Sequence, residues 1–140
     1  MTLTTGFKRT IIVAAAIVLS FAVTAANAAC SDPAAPKVDW TGCEKAGSDL
    51  GKADLSGAIL TNAILGGANL KNANLSGAIL GGADLSNADL SGADLSNAKM
   101  FYALLKNANL SGAKLTGAVL DTVTWTDGKT CAEDSIGVCK

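Results

Sequence analysis

The 140-residue sequence contains no histidine, and aromatic residues make up only 4 % of it. Without imidazole there is no His-based triad, no His-bound metal and no imidazole acid–base chemistry. GxSxG, HExxH and P-loop motifs are absent as well. With so few rings, a core drawn from the 49 % hydrophobic residues must be built of Ala and Leu. Both prolines, Pro33 and Pro36, lie near the N-terminal side of the chain. The longest apolar run is short for a membrane span, which needs ~20 residues, so cleavage is favoured over a retained N-terminal anchor.

The main apolar run, "IIVAAAIVLSFAV" at 11–23, follows Lys8 and Arg9 and precedes the small residues of "TAANAAC". That order predicts a cleaved secretory signal peptide over 1–28, with Ala26-Asn27-Ala28 as the cleavage site. The expected location is periplasmic or secreted. A lipoprotein acylated at Cys30 is the alternative, although Asn27 stands where a lipobox has a Leu-like residue. Without that lipid the mature form has no membrane association. The mature part holds nine Lys and no Arg against twelve acidic residues, a net charge near −3. Such a balance argues against a nucleic-acid footprint.

Four cysteines flank the middle of the chain: Cys30 and Cys43 before it, Cys131 and Cys139 after it. An even count in an exported chain reads as disulfides. Of the three possible pairings, a rigid, elongated middle favours Cys30 with Cys43 and Cys131 with Cys139, because bridged Cα atoms lie within ~7 Å. Zinc is the rival reading, but it lacks His and CxxC.

Between them the sequence beats every five residues. With i as the repeated Leu, the series runs from Leu50 to Leu120, interrupted only by Met100, and i−2 is Ala from Ala53 to Ala118. A helix advancing 100° per residue would scatter these leucines around its circumference. A continuous strand would point the next Ala away from the face that Leu occupies. Both conflicts vanish if the chain turns a corner between each Leu and the following Ala. Gly, Asn and Ser at i+1 and i+2 suit such corners. The echo of "ADLSGAIL" at 53–60 in "ANLSGAIL" at 73–80 supports four segments per turn.

Tandem A(D/N)LSG resembles the pentapeptide-repeat family over residues 48–127. The resemblance implies an all-β fold, a right-handed quadrilateral β-helix of about four coils with i and i−2 inward. Residues 29–47 would then form an N-terminal cap or tail and 128–140 a C-terminal cap, each disulfide-bonded. Solenoids need such caps because each coil contacts only its neighbours. Downstream, Val123 and Trp125 at i−2 and i place a large ring at the bottom of the core, and Asp127-Gly128 signals a hairpin.

No catalytic, cofactor or metal site is expected. Ser96–Lys99 and Ser111–Lys114 match SxxK only because the repeat supplies both residues. The carboxylates Asp49, Asp54, Asp84, Asp89 and Asp94 read as solvated ladders, since a calcium site wants denser oxygen ligands. The exceptions at outward positions carry the functional expectation. Ile59, Ile79 and Val119 share one column, Phe101 and Tyr102 sit beside it, and Ile64 and Leu104 are on the next face. Contiguous apolar surface marks a contact, with a partner protein or with another copy, unless the N-terminal tail bearing Trp40 covers it. The expected function is a non-catalytic structural or protein-interaction module. The alternatives are the topoisomerase-directed DNA mimicry that the family resemblance implies, against which stand the signal and the modest charge, and a small cation-binding or enzymatic envelope protein.

Overall fold

The fold is built from its corners outward. In the computed structural model, which describes residues 30–140, every i+2 residue from Lys37 to Thr122 has a positive φ, between 55° and 71°. Each corner is closed by a bond from the next i−2 N–H to the i carbonyl, as in Ala58 N to Leu55 O at 3.0 Å. These are β-turns whose third residue is left-handed, the conformation that favours Gly and Asn. Gly or Asn fills most corners, but Lys37, Lys52, Tyr102 and Thr122 do not conform.

The Asp or Asn at i−1 holds the corner from the other side. Its Oδ1 accepts the backbone N–H two residues on, at 2.9 Å for Ser86 to Asp84, Ser91 to Asp89 and Ser96 to Asp94. A(D/N)LS is thus an Asx turn written into a repeat.

Between corners, each i−1 residue forms a parallel bridge to the residue twenty positions later, from Asp39↔Ile59 to Leu104↔Thr124. The register of twenty stacks four walls. The first carries Asp39, Ile59, Ile79, Lys99 and Val119, and the second Glu44, Ile64, Asp84, Leu104 and Thr124. The third carries Asp49, Asn69, Asp89 and Asn109, and the fourth Asp54, Asn74, Asp94 and Lys114. Each short segment with a coil beneath it donates to that coil and accepts from it, for example Leu60 N to Ile79 O at 2.7 Å and Ile79 N to Ala58 O at 2.9 Å. Inside, the leucines from Leu55 to Leu105, Met100 and the intervening alanines are buried. The architecture is a β-helix with an Ala/Leu interior.

The bridges begin at Asp39, ahead of residue 48 where the repeat becomes visible in the sequence. Residues 39–47 are therefore coil rather than a detached tail. Val38 and Cys43 stand in for Ala, and Trp40 and Lys45 for Leu, so the pattern is hidden in residue type but retained in backbone. Trp40 does not fold over the outside: it is 1 % exposed at the top of the core. Lys45 Nζ lies 4.1 Å from its ring centroid and donates to Cys30 O at 2.7 Å. This places a cation over an aromatic face while its stem covers the coil end. The residues of the expected signal peptide lie outside those described.

Both disulfides are local to an end, Cys30–Cys43 with Cα atoms 5.4 Å apart and Cys131–Cys139 with 5.0 Å. At the bottom, the chain reverses through Asp127-Gly128, with Trp125 N donating to Lys129 O at 2.7 Å. It then runs antiparallel beneath the second and first walls, by Thr124↔Thr130 and Val119↔Ile136. Ser135, buried although polar, stitches this cap: its N–H donates to Asp121 Oδ1 at 3.0 Å and its hydroxyl to Ala132 O at 2.8 Å.

Candidate functional site

The four walls sort the outward side chains by chemistry. On the third, Asn69 Nδ2 donates to Asp49 Oδ1 at 2.8 Å and Asn109 Nδ2 to Asp89 Oδ1 at 3.2 Å. On the fourth, Asn74 Nδ2 reaches Asp54 Oδ1 at 3.2 Å and Lys114 pairs with Asp94 at 3.6 Å. Amide and ammonium groups thus separate the stacked carboxylates. Hydrogen bonds from the side chain and N–H of Ser56, Ser91 and Ser96 hold Asp54, Asp89 and Asp94 below the usual carboxylate range. Thr41 does the same for Asp39, and the N–H of Lys129 for Asp127. A shallow depression of about 460 Å³ lies on this side, lined by Asp49, Gly51, Lys52, Asn69, Lys71 and Asn72. It mixes charges of both signs and brings no nucleophile to a base. Among the described residues no three acidic or cysteine side chains converge on a point where a metal could sit.

The seven apolar exceptions occupy the other side. Ile59, Ile79 and Val119 lie on the first wall and Ile64 and Leu104 on the second, while Phe101 and Tyr102 form the corner between them. Tyr102 is 70 % exposed, Ile64 and Leu104 41 %, and Ile79 and Phe101 37 %. Ile59 and Val119 are half-buried. Within each wall the group is interrupted, by Lys99 between Ile79 and Val119 and by Asp84 between Ile64 and Leu104.

Tyr102 also stands at one of the left-handed corners, with φ 59°. A non-Gly side chain there costs about 1–2 kcal/mol, and a tyrosine gains nothing from the local hydrogen bonding that draws Asn to such sites. Sequence reasoning missed two further exposed apolar residues, Ile136 and Val138 of the C-terminal cap. They lie outside the repeat, so no periodicity marked them as outward.

A profile of Pentapeptide repeats matches residues 46–77, 68–101 and 103–123 in 8 copies, more than half of the chain. The chain belongs to the pentapeptide repeat family. Among solved pentapeptide repeat proteins, it is similar to Rfr23 of the cyanobacterium Cyanothece 51142, with 31 % identity over 61 % of this chain and 75 % of that one and a TM-score of 0.52. A pentapeptide repeat protein of the Arabidopsis thaliana thylakoid lumen is 28 % identical over 72 % of this chain and 79 % of that one, with a TM-score of 0.49. Trypsin-treated QnrB1, described as a plasmid-mediated fluoroquinolone resistance protein, is 22 % identical over 61 % of this chain and 56 % of that one, with a TM-score of 0.48. None of the curated proteins compared with the chain matches it.

Proposed function

We propose that this pentapeptide repeat protein is an exported, non-catalytic interaction module, and that it meets a protein surface through the apolar corner formed by Ile64, Ile79, Phe101, Tyr102 and Leu104. The observation that carries this reading is Tyr102, an aromatic side chain that is 70 % exposed at a left-handed backbone position. Lys37, Lys52 and Thr122 occupy equivalent corners, and what sets Tyr102 apart is a large exposed ring at such a position, the kind of strained site that clusters at functional surfaces. Two disulfides at the ends suit an oxidising compartment. The polar walls fit this role by difference: their carboxylates alternate with Asn and Lys, which suits solvation better than imitation of a phosphate backbone. The described tail leaves the corner open, since Trp40 is inside the coil.

The test is a pair of variants. Ile79→Ser with Phe101→Ser is expected to abolish the association of the folded protein with its partner, read by sedimentation and crosslinking. Tyr102→Asn is expected to raise stability by about 1 kcal/mol through relief of the strained corner while weakening that same association. Unchanged association in both variants would refute the reading.

A further inference from the structure

From the top coil downward, the outward column of the first wall reads Asp39, Ile59, Ile79, Lys99. It is an acid, two isoleucines and a base, spaced about 4.8 Å apart. Such a series is complementary to its own reversal. A second copy turned upside down against this wall, about a two-fold axis crossing it between Ile59 and Ile79, sets Asp39 against Lys99 and Ile59 against Ile79, twice over. A two-fold contact requires that reciprocity.

Both charges are available for it. Asp39 and Lys99 are exposed, and neither belongs to an ion pair among the described residues, which pair Lys114 with Asp94 and Lys129 with Asp127. Thr41 occupies only Oδ1 of Asp39, so Oδ2 can accept an incoming ammonium. The corner beside the wall obeys the same reversal in shape. Its column runs Thr41-Gly42, Thr61-Asn62, Gly81-Gly82, Phe101-Tyr102. Reversed, the two rings of one copy come over Thr41-Gly42 of the other, where a Cβ at Gly42 meets nothing within 4 Å. Thr61-Asn62 comes over the side-chain-free Gly81-Gly82.

The other walls fail one part of this test. On the second, reversal sets Glu44 against Leu104 and Ile64 against Asp84, carboxylates against aliphatic chains that cannot pair them. The third and fourth set acids against amides or Lys114, but those groups are already spent within the chain, Asn69 on Asp49, Asn109 on Asp89, Asn74 on Asp54 and Lys114 on Asp94. Neither has an apolar centre. On the first wall itself, a parallel copy meets Lys99 with Lys99, and a slip of one coil sets a charge against an isoleucine. One register remains.

We propose that the first wall is a self-complementary docking surface through which two copies of the chain associate antiparallel, side by side. The inference rests on the reading of the apolar corner in that Ile79 and Phe101 belong to both surfaces, and it names the partner as a second copy. A wall four coils tall spans about 19 Å, a small interface, so the association is weak and reversible.

The experiment uses the protein purified with its disulfides intact, with folding of each variant checked by far-UV circular dichroism. Sedimentation equilibrium up to millimolar concentration is expected to show a dimer and no larger species. Zero-length carbodiimide coupling is expected to join Asp39 to Lys99 in the dimer band alone, because within one chain they stand three coils, about 14 Å, apart. Lys99→Glu and Asp39→Lys are each expected to weaken the dimer at least about tenfold by setting like charges against each other. Both substitutions respect the repeat, in which Asp94 and Lys99 occupy equivalent outward positions. An equimolar mixture of the two variants restores both opposite-charge pairs and is expected to dimerise as the parent does. Ile64→Ser with Leu104→Ser, on the second wall, is expected to leave the dimer unchanged. A monomer at every concentration, growth beyond two copies, a dimer without the Asp39 to Lys99 link, or no recovery in the mixture would each overturn the proposal. Those outcomes leave the apolar corner free to meet a different protein. Loss of the dimer in the second-wall variant with no effect of Lys99→Glu would overturn the first-wall contact and keep the corner.

Discussion

Replacing Gly92 by Ala tests the corner geometry quantitatively, because Gly92 meets two independent constraints and Gly77 only one. Both have a left-handed backbone, φ 68° and 66°. A Cβ at Gly77 meets nothing within 4 Å, whereas one at Gly92 collides with Asn72 Oδ1, the corner side chain one coil above. The backbone term alone costs an L-residue about 1–2 kcal/mol, which is the loss expected for Gly77→Ala. Gly92→Ala must in addition displace the Asn72 side chain, an overpacking cost of about 1–3 kcal/mol, for a total of about 2–5 kcal/mol. Asn72→Gly removes the obstruction while keeping a residue at ease with positive φ. In that background Gly92→Ala is therefore expected to cost no more than Gly77→Ala does alone. Urea unfolding followed by far-UV circular dichroism, with disulfides intact, compares the parent protein with Gly77→Ala, Gly92→Ala, Asn72→Gly and the Asn72→Gly/Gly92→Ala double variant. Equal losses for Gly77→Ala and Gly92→Ala, or no recovery in the Asn72→Gly background, would refute the reasoning. Asn62 with Gly82 and Asn97 with Gly117 stand in the same relation and provide replicates.

Leu85→Ala, at a fully buried position, is expected to cost about 3–5 kcal/mol through lost transfer and a residual cavity, read by the same unfolding curves. Opening either end-local disulfide with Cys→Ser pairs should cost roughly 2–3 kcal/mol, with the loss visible as a lower thermal midpoint. The depressed carboxyls of Asp39, Asp54, Asp89, Asp94 and Asp127 stabilise the fold wherever they are ionised. Because their folded values lie below the unfolded value of about 3.9, that contribution is complete above it and is lost as pH falls through the folded values. Thermal stability should therefore decline on acidification below about pH 4, and a midpoint that stays constant there would contradict the hydrogen-bonded geometry. Ser135→Ala is expected to lower stability by about 1 kcal/mol or more through loss of its buried hydroxyl bonds, measured by chemical denaturation.

The walls were legible because period five leaves the chain one economical solution, and Ala and Leu mark it at nearly every step. The first coil was not legible, since Trp40 and Lys45 fill leucine positions with side chains chosen for an end rather than a middle. A period is written only where neighbours above and below are equivalent. The apolar exceptions could be seen as departures from the repeat, and the column register assigns each of them to a wall or a corner. That Lys99 and Asp84 divide the group along each wall also follows from the spacing of twenty once the register is known. Ile136, Val138 and Ser135 carried no such mark, because their environment is set by a chain reversal after the last repeat.

The bridge register makes length a quantised variable for this molecule. A deletion or duplication of twenty residues would return every side chain to its own wall, leave both disulfide-bonded ends intact and change only the number of stacked layers. A change of five would keep the Ala/Leu interior equally well hidden, yet rotate everything downstream by one wall. It would bring the apolar residues beyond the change beneath the carboxylates and shift the cap to a different side. The interior tolerates growth in steps of five, whereas the surface keeps its arrangement only in steps of twenty.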